Sequence, residues 1–477
     1  MVSQTNVAAT VTVPEPYSFL FGHISLMKLL KQGLPSDAHD TYVVRKLSLE
    51  WQDYFPNATK APPLAYLDLW PFLSQPLIVV FSPQACSQLT QETPQPRHSL
   101  FRWSLTPLTG GNDLTSVDMA THRVWRSRLN PGFSLKNLIL QMDVLLEEVA
   151  VFAEKLRNNA GDNGTWGDVF TLYDNAVSLT FDIIFRSALN FRANEQTQGP
   201  GPLFKSIRRL TTYVKKPNLI TKLERCLPAY RHDVSHHGKV VNDILKPEIQ
   251  ARLDGAAQTS RRKTVVDLAL QHIPAESDHK TGLRQRSEYI DVVLSQLKVF
   301  ILAGHHTTAQ AMQNPGVLRQ IQTEHDQVLG SDPGQATEVL SKQPHTLNDL
   351  RYTTAVIKES LRVHALGQTH REGSTGFNFS IEEVIYPTYD TIIQTVPAAT
   401  QSHPDLWPRV KEFLPERFLV TDGHPLYPLK NAWRTFELGS TRCIGEELAM
   451  MEIKLVLVFT LRELEFEFPS AGWDEPE

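Results

Sequence analysis

Of the 477 residues, Cys443 offers the most distinctive chemistry, in the run Phe436-Glu437-Leu438-Gly439-Ser440-Thr441-Arg442-Cys443-Ile444-Gly445. An amphipathic helical pattern, Glu446 to Leu461, begins just after it, so the sulfur is expected where the outward N–H groups of a helix start favour a thiolate. Gly439 and Gly445 permit turns closed to other residues and let a flat ligand approach, while nearby N–H groups can hydrogen-bond the sulfur and tune it. A lone cysteine is more often an inert core residue, and it is the flanking Phe436, Gly439, Arg442 and Gly445 that weigh against that reading. A second candidate is Ala303-Gly304-His305-His306-Thr307-Thr308, set in a strongly apolar stretch from Glu288 to Met312. Glycine in mid-helix costs about 1 kcal/mol relative to alanine, which calls for a reason such as a ligand lying against the backbone. Adjacent histidines on a helix do not face one site, so a metal pair there is not expected. Third, Glu359 and Arg362 are spaced to pair on a helix, by themselves a surface ion pair worth about 0 to 1 kcal/mol.

The elements that must position these groups are mainly helical. Met142, Leu145, Leu146, Val149, Phe152, Ala153 and Leu156 gather on one face at three- and four-residue spacing, and Val169, Phe170, Tyr173, Ala176 and Val177 begin a second such stripe. Around Val292, Val293, Leu297, Phe300, Ile301 and Leu302 the pattern is apolar on several sides, as in a buried helix. Strand signals are few: Leu64 to Leu69, Leu77 to Phe81, and the alternation Leu464-Glu465-Phe466-Glu467-Phe468. With no repeats and no long linker, the sequence reads as a short hinge segment, residues 1–25, followed by one mainly α domain with a small β region over 26–477.

Composition narrows the function. A net charge of -5, with 41% hydrophobic and 21% charged residues, gives no electrostatic reason to expect nucleic acid. Three cysteines, Cys86, Cys226 and Cys443, with no CxxC pair, point to a reducing compartment, and the Asn-x-Ser/Thr matches at Asn57, Asn163 and Asn378 carry no meaning without a secretory signal. The start of the chain holds neither the apolar run of a signal peptide nor the ~20 residues of a membrane span. Phe19 to Ile24, after the Pro14-x-Pro16 turn, reads as a domain start in preference to an apolar surface patch.

The Cys443 segment resembles the haem-binding signature of the cytochrome P-450 family, fungal members in particular. Glu359-Ser360-Leu361-Arg362 is similar to the family's Glu-x-x-Arg helix, Pro415-Glu416-Arg417-Phe418 to its later arginine motif, and Ala303 to Thr308 to its distal oxygen-binding helix. His122-Arg123-Val124-Trp125-Arg126 is similar to its haem-facing helix, and Asn130 to Ser134 to the segment after that helix in fungal members. These five further motifs in the family's order make the resemblance specific, and it puts Arg417 where its planar guanidinium could add bidentate contacts to the Glu359 carboxylate, a structural role in preference to a catalytic one. It implies the cytochrome P-450 fold, haem b with Cys443 as axial ligand, and Phe436 packed against the haem. Arg126 and Arg371 would serve the propionates with Trp125 beside them, Ala303 and Gly304 would lie over the haem face, and Thr307 would be the distal threonine that hydrogen-bonds dioxygen and passes protons. Thiolate ligation favours O–O cleavage, so the implied activity is a monooxygenase that inserts one atom of O2 into a lipophilic molecule, a fungal polyketide or terpenoid. NADPH would supply electrons through a cytochrome P-450 reductase, with Lys430, Arg434, Arg442 and Lys454 as a basic docking side. The place implied is the cytosolic side of the endoplasmic reticulum, with peripheral membrane contact through apolar surface.

Four features depart from the family pattern. His306 occupies the position before Thr307 where an acidic residue is usual; the chain reaches Asn314-Pro315 on the order of ten residues early, nearly three helical turns; Arg442 adjoins the cysteine, where the family has its arginine at the place of Thr441; and the usual N-terminal anchor is not seen. The first and second of these motivate an alternative, a haem-binding protein with impaired oxygen activation, and a third reading is a helical scaffold without haem.

Overall fold

Apolar spacing becomes structure most directly in the helix Met142–Asn159, whose Leu145, Val149, Phe152, Ala153 and Leu156 are all buried. The computed structural model describes residues 12–35, 38–161, 164–215, 217–253, 263–270, 290–295, 315–365 and 367–467. They group into two units interleaved along the chain, one built from the residues up to Phe101 with Lys358–Cys443, the other from Arg102–Ile357 with the residues from Ile444 onward.

The first unit holds the strands. β1 (Leu64–Leu67), β2 (Leu77–Val80), β3 (Thr369–Glu372) and β6 (Ile392–Thr395) form a sheet in the order β1-β2-β6-β3, while β4 (Asn378–Ile381) and β5 (Val384–Pro387) form a separate hairpin. β2 runs parallel to β6, Leu77 opposite Ile392 and Val80 opposite Thr395; the other pairings are antiparallel. Both β2 and β6 are buried along their whole length, the pattern of central strands covered on two faces. One side packs on the helix Asp40–Leu49 and its neighbours through Val43, Leu47, Trp51 and Ala399. The other packs on Cys86, Leu89, Phe377 and Phe379. Cys86 is thus an ordinary core residue, its thiol pushed up to about 11 by burial.

The second unit is helical. Met142–Asn159, Leu172–Leu189 and Glu446–Thr460 share one core with the helices Pro202–Thr211 and Pro228–Leu253, and Phe181 stacks between Phe185 and Phe204, at 4.7 and 5.1 Å. Two expectations need correction. The second stripe does not bury its predicted start: Val169 and Phe170 precede the helix and are exposed, and the buried face lies later, from Leu179 to Leu189. Leu464 to Glu467 form no strand among the described residues; Leu464 and Phe466 pack on the helical core without a strand partner, and Phe468 lies outside the described residues.

Candidate active site around Cys443

The cysteine segment is a tight loop held from inside and from below. Cys443 N donates to Phe436 O at 2.8 Å and Arg442 N to Gly439 O at 3.1 Å, closing the loop on itself. Glu437 and Gly439 both have positive φ, 56° and 88°, and a Cβ on Gly439 would lie 2.1 Å from the carbonyl oxygen of Thr90. Only glycine satisfies both the backbone angle and that approach. Phe436 meets Trp433 edge-on at 5.9 Å, Trp433 meets Phe418 at 6.2 Å, and Phe418 meets Trp407 at 6.2 Å, so the aromatic beside the cysteine ends a ladder of rings. Lys358 Nζ lies over both Phe418 and Trp433, 5.8 and 5.6 Å from their centroids.

Under the loop sits the Glu359 cluster. Arg362 donates through Nε and Nη2 to the two oxygens of Glu359, each at 2.8 Å, and Leu414 N adds a bond of 2.9 Å. Arg417 reaches the same carboxylate through Nε alone, at 3.4 Å, and spends its two terminal nitrogens on the carbonyls of Pro408 and Arg409. All three side chains are essentially sealed from solvent. The remaining donors of Arg362 bond the carbonyls of Gln401, Val410 and Glu412. Gln401 then links this cluster to the loop: its side chain donates to Leu361 O and accepts from Arg434 N at 2.6 Å.

Arg434 and Lys454 need correction as a basic docking side. Arg434 is buried, paired with Glu437 and donating to Thr90 Oγ1 at 2.8 Å, and Glu437 accepts in turn from Thr395 Oγ1 at 2.6 Å. Lys454 is buried and donates to Leu347 O. Lys430 and Arg442 are exposed.

Arg371, on β3, is 1% exposed, and among the described residues no carboxylate is hydrogen-bonded to it. Nη1 donates to Gln95 O at 3.0 Å, Nη2 to Thr441 Oγ1 at 2.5 Å, and Nε finds no hydrogen-bond partner among the described residues. Burial pulls its pKa below the ordinary value, with Glu437 acting the other way. A guanidinium stays charged in a protein, so this buried cation keeps one N–H donor without a partner among the described residues. It is Thr441 that meets Arg371, while Arg442 is the exposed neighbour.

In the second unit, Asp118 caps the helix Met119–Leu129 by accepting from Ala120 N and Thr121 N, which fixes the helical phase. His122, Trp125 and Leu129 are buried on it, and Arg126, half-buried, donates from Nε to Asn130 Oδ1 at 2.7 Å. Gly445 precedes the helix Glu446–Thr460, and a Cβ there would meet nothing. Ala303, Gly304, His306 and Thr307, with the early Asn314 boundary, lie outside the described residues; residues 290–295 are helical.

The family model for cytochrome P450 (written P-450 here) matches residues 68–477. The chain is 32% identical to the cytochrome P-450 monooxygenase polC of Polytolypa hystricis, over 94% of this chain and 80% of that one. This chain belongs to the cytochrome P-450 family. Two further relatives are the monooxygenase acrF of Aspergillus aculeatus, 29% identical over 85% of each chain, and cytochrome P-450 4V2 of Rattus norvegicus, 26% identical over 82% of this chain and 75% of that one. A cytochrome P-450 carries haem and this one is a monooxygenase, an oxidoreductase that incorporates oxygen; relatives named monooxygenases give no support to an oxygen-inert haem protein. The residues present fit the group: the family's cysteine is in place on a loop that only glycine can shape, and the buried Arg371 hydrogen-bonded to that loop keeps an Nε–H without a partner among the described residues, a donor that a propionate could take up.

Sequence reasoning missed Gln401, Thr90, Thr395 and Glu437. The Arg434–Glu437 spacing was the one local signal available; the other partners are 33 to 344 residues away.

Proposed function

We propose that this cytochrome P-450 oxidises a lipophilic fungal secondary metabolite, a polyketide or terpenoid, with Cys443 as haem ligand and Arg371 and Arg126 as propionate partners. The observation that carries the site assignment is the buried guanidinium of Arg371, hydrogen-bonded to the cysteine loop and with its Nε unpartnered among the described residues. Haem held by a thiolate supplies activation of O2 and its transfer to carbon. The chain's own residues do the rest. Phe436 would pack against the cofactor, Gly439 shapes the loop, Trp125 would be a packing or hydrogen-bonding neighbour of the propionates, Thr307 and His306 would pass protons, and the Glu359–Arg362–Arg417 cluster keeps the loop in place without touching the chemistry. Electrons come from NADPH through a cytochrome P-450 reductase, which docks on exposed Lys430 and Arg442.

Peripheral contact with the endoplasmic reticulum membrane is supported by apolar groups in solvent. No helix among the described residues is long and apolar enough to cross a membrane. Yet Phe19 is 92% exposed, Phe72 61% and Trp70 58% in the first unit, and Leu219, Ile220 and Leu223 stand out from the helix Leu219–Cys226 in the second.

The test is the carbon monoxide difference spectrum of the reduced protein beside Cys443→Ala and Arg371→Met. The parent gives the strongly red-shifted Soret band of thiolate ligation, Cys443→Ala loses it, and Arg371→Met keeps its position but holds less haem. A parent band at the wavelength of a histidine or thiol ligand, or full haem retention in Arg371→Met, sinks the corresponding assignment. Product formed from candidate polyketides and terpenoids with NADPH and reductase decides the substrate class.

A further inference from the structure

The helix Pro228–Leu253 carries two pairs of metal-capable side chains, each spaced one turn apart. The first pair, Asp233 and His237, is consumed in packing on Pro202–Thr211. Asp233 accepts from Arg209 Nε at 2.6 Å and from the Tyr213 hydroxyl at 2.7 Å; His237 Nδ1 is 3.0 Å from Ser206 Oγ, and its Nε2 is 3.5 Å from Asp233. The second pair, His232 and His236, is one residue back, about 100° round the helix, and both imidazoles are exposed. Their rings lie nearly parallel, 18° between planes and 6.4 Å between centroids.

Two histidines at i and i+4 on one helix face are the pair with which helical metal sites grip zinc. Metal–nitrogen bonds of about 2.0–2.1 Å put the two ligating nitrogens within about 4 Å of each other, a separation that solvent-facing rings one turn apart reach by rotating about their side-chain bonds. We propose that His232 and His236 form a two-imidazole site for a borderline divalent transition metal: zinc, copper or nickel. Among the described residues no third histidine, cysteine or carboxylate completes a set of three around them. Water fills the remaining positions, which makes the site exchangeable rather than structural. Imidazole ligation sets the order, copper ahead of nickel and zinc. Lys239, three residues past His236, adds a like charge nearby and moderates the affinity.

The experiment titrates untagged haem-loaded protein with copper(II) and with zinc(II) by calorimetry, beside His232→Ala, His236→Ala and, as a control elsewhere, His424→Ala. One equivalent binds the parent and the control alike. Each of the two single variants loses roughly tenfold or more in affinity, because the second imidazole no longer acts at high effective concentration. The Soret spectrum is unchanged throughout, showing that the fold and the haem site are intact. No binding to the parent, or equal binding to His232→Ala and His236→Ala, overturns the proposal.

Discussion

Glu359→Gln tests the cluster beneath the cysteine loop. The Glu359 carboxylate accepts four donors: Arg362 Nε on one oxygen, and Arg362 Nη2, Leu414 N and Arg417 Nε on the other. An amide keeps one oxygen, so whichever way it turns its NH2 faces at least one of these donors. The substitution also strips the one carboxylate bonded, among the described residues, to two guanidiniums that are 1% and 0% exposed and already repel one another. Removing one partner of a buried ion pair costs about 3–5 kcal/mol, against a total stability of roughly 5–15 kcal/mol for a domain. Urea unfolding followed by far-ultraviolet circular dichroism reads the loss as a lower midpoint at unchanged slope, and the haem content falls with it because Gln401 joins Arg362 to Arg434. Glu412→Gln, which breaks the exposed pair with Arg409, leaves the midpoint where it was. A Glu359→Gln shift no larger than that of Glu412→Gln would refute the reasoning.

Gly439→Ala is expected to fold with little haem, since φ of 88° costs an L-residue about 1–2 kcal/mol before its Cβ meets Thr90 O; Gly238→Ala, inside the helix Pro228–Leu253 with open space around it, loads normally. The haem-to-protein ratio of the two purified variants checks this, and equal ratios contradict it. Glu452, donated to by Thr180 Oγ1, is pushed up to about 7 by burial. Its folded pKa is above the ordinary 4.5, so the folded state binds more protons between those values, and this group's contribution to stability falls as pH rises from 4.5 through 7. Glu452→Gln therefore gains thermal stability over the parent at pH 8 and converges with it near pH 4.5; a difference independent of pH speaks against the assignment.

Motif chemistry was legible in the sequence where it is local. Cys443, Gly439, Phe436 and the Glu359–Arg362 spacing each announce themselves within a few residues, as does the stripe of Met142–Asn159. What stayed hidden was set by distance. Arg434 reads as a surface cation until Thr90 and Glu437 enclose it, and Lys454 until its stem is covered and Leu347 O takes its ammonium. The alternation fails as a strand over Leu464 to Glu467 because period-two spacing also suits an irregular segment laying Leu464 and Phe466 on a helical core. Arg371 gave no local sign of being buried with an unpartnered Nε among the described residues; the family resemblance alone marked it.

The grip of Thr90 on the cysteine loop has a temporal side. One residue supplies both the carbonyl that Gly439 must approach and the hydroxyl that Arg434 grasps, across 344 positions of chain. Closing so long a loop is entropically slow, and the intervening Arg102–Ile357 belongs to the other unit. On the ribosome, the early strands and Thr90 emerge long before the residues they are to hold. The cysteine loop acquires its shape only once the residues around Arg434 have emerged, so loading of the cofactor waits for them, and a fragment truncated before Arg434 has the floor of the site without the ligand that gives it a purpose.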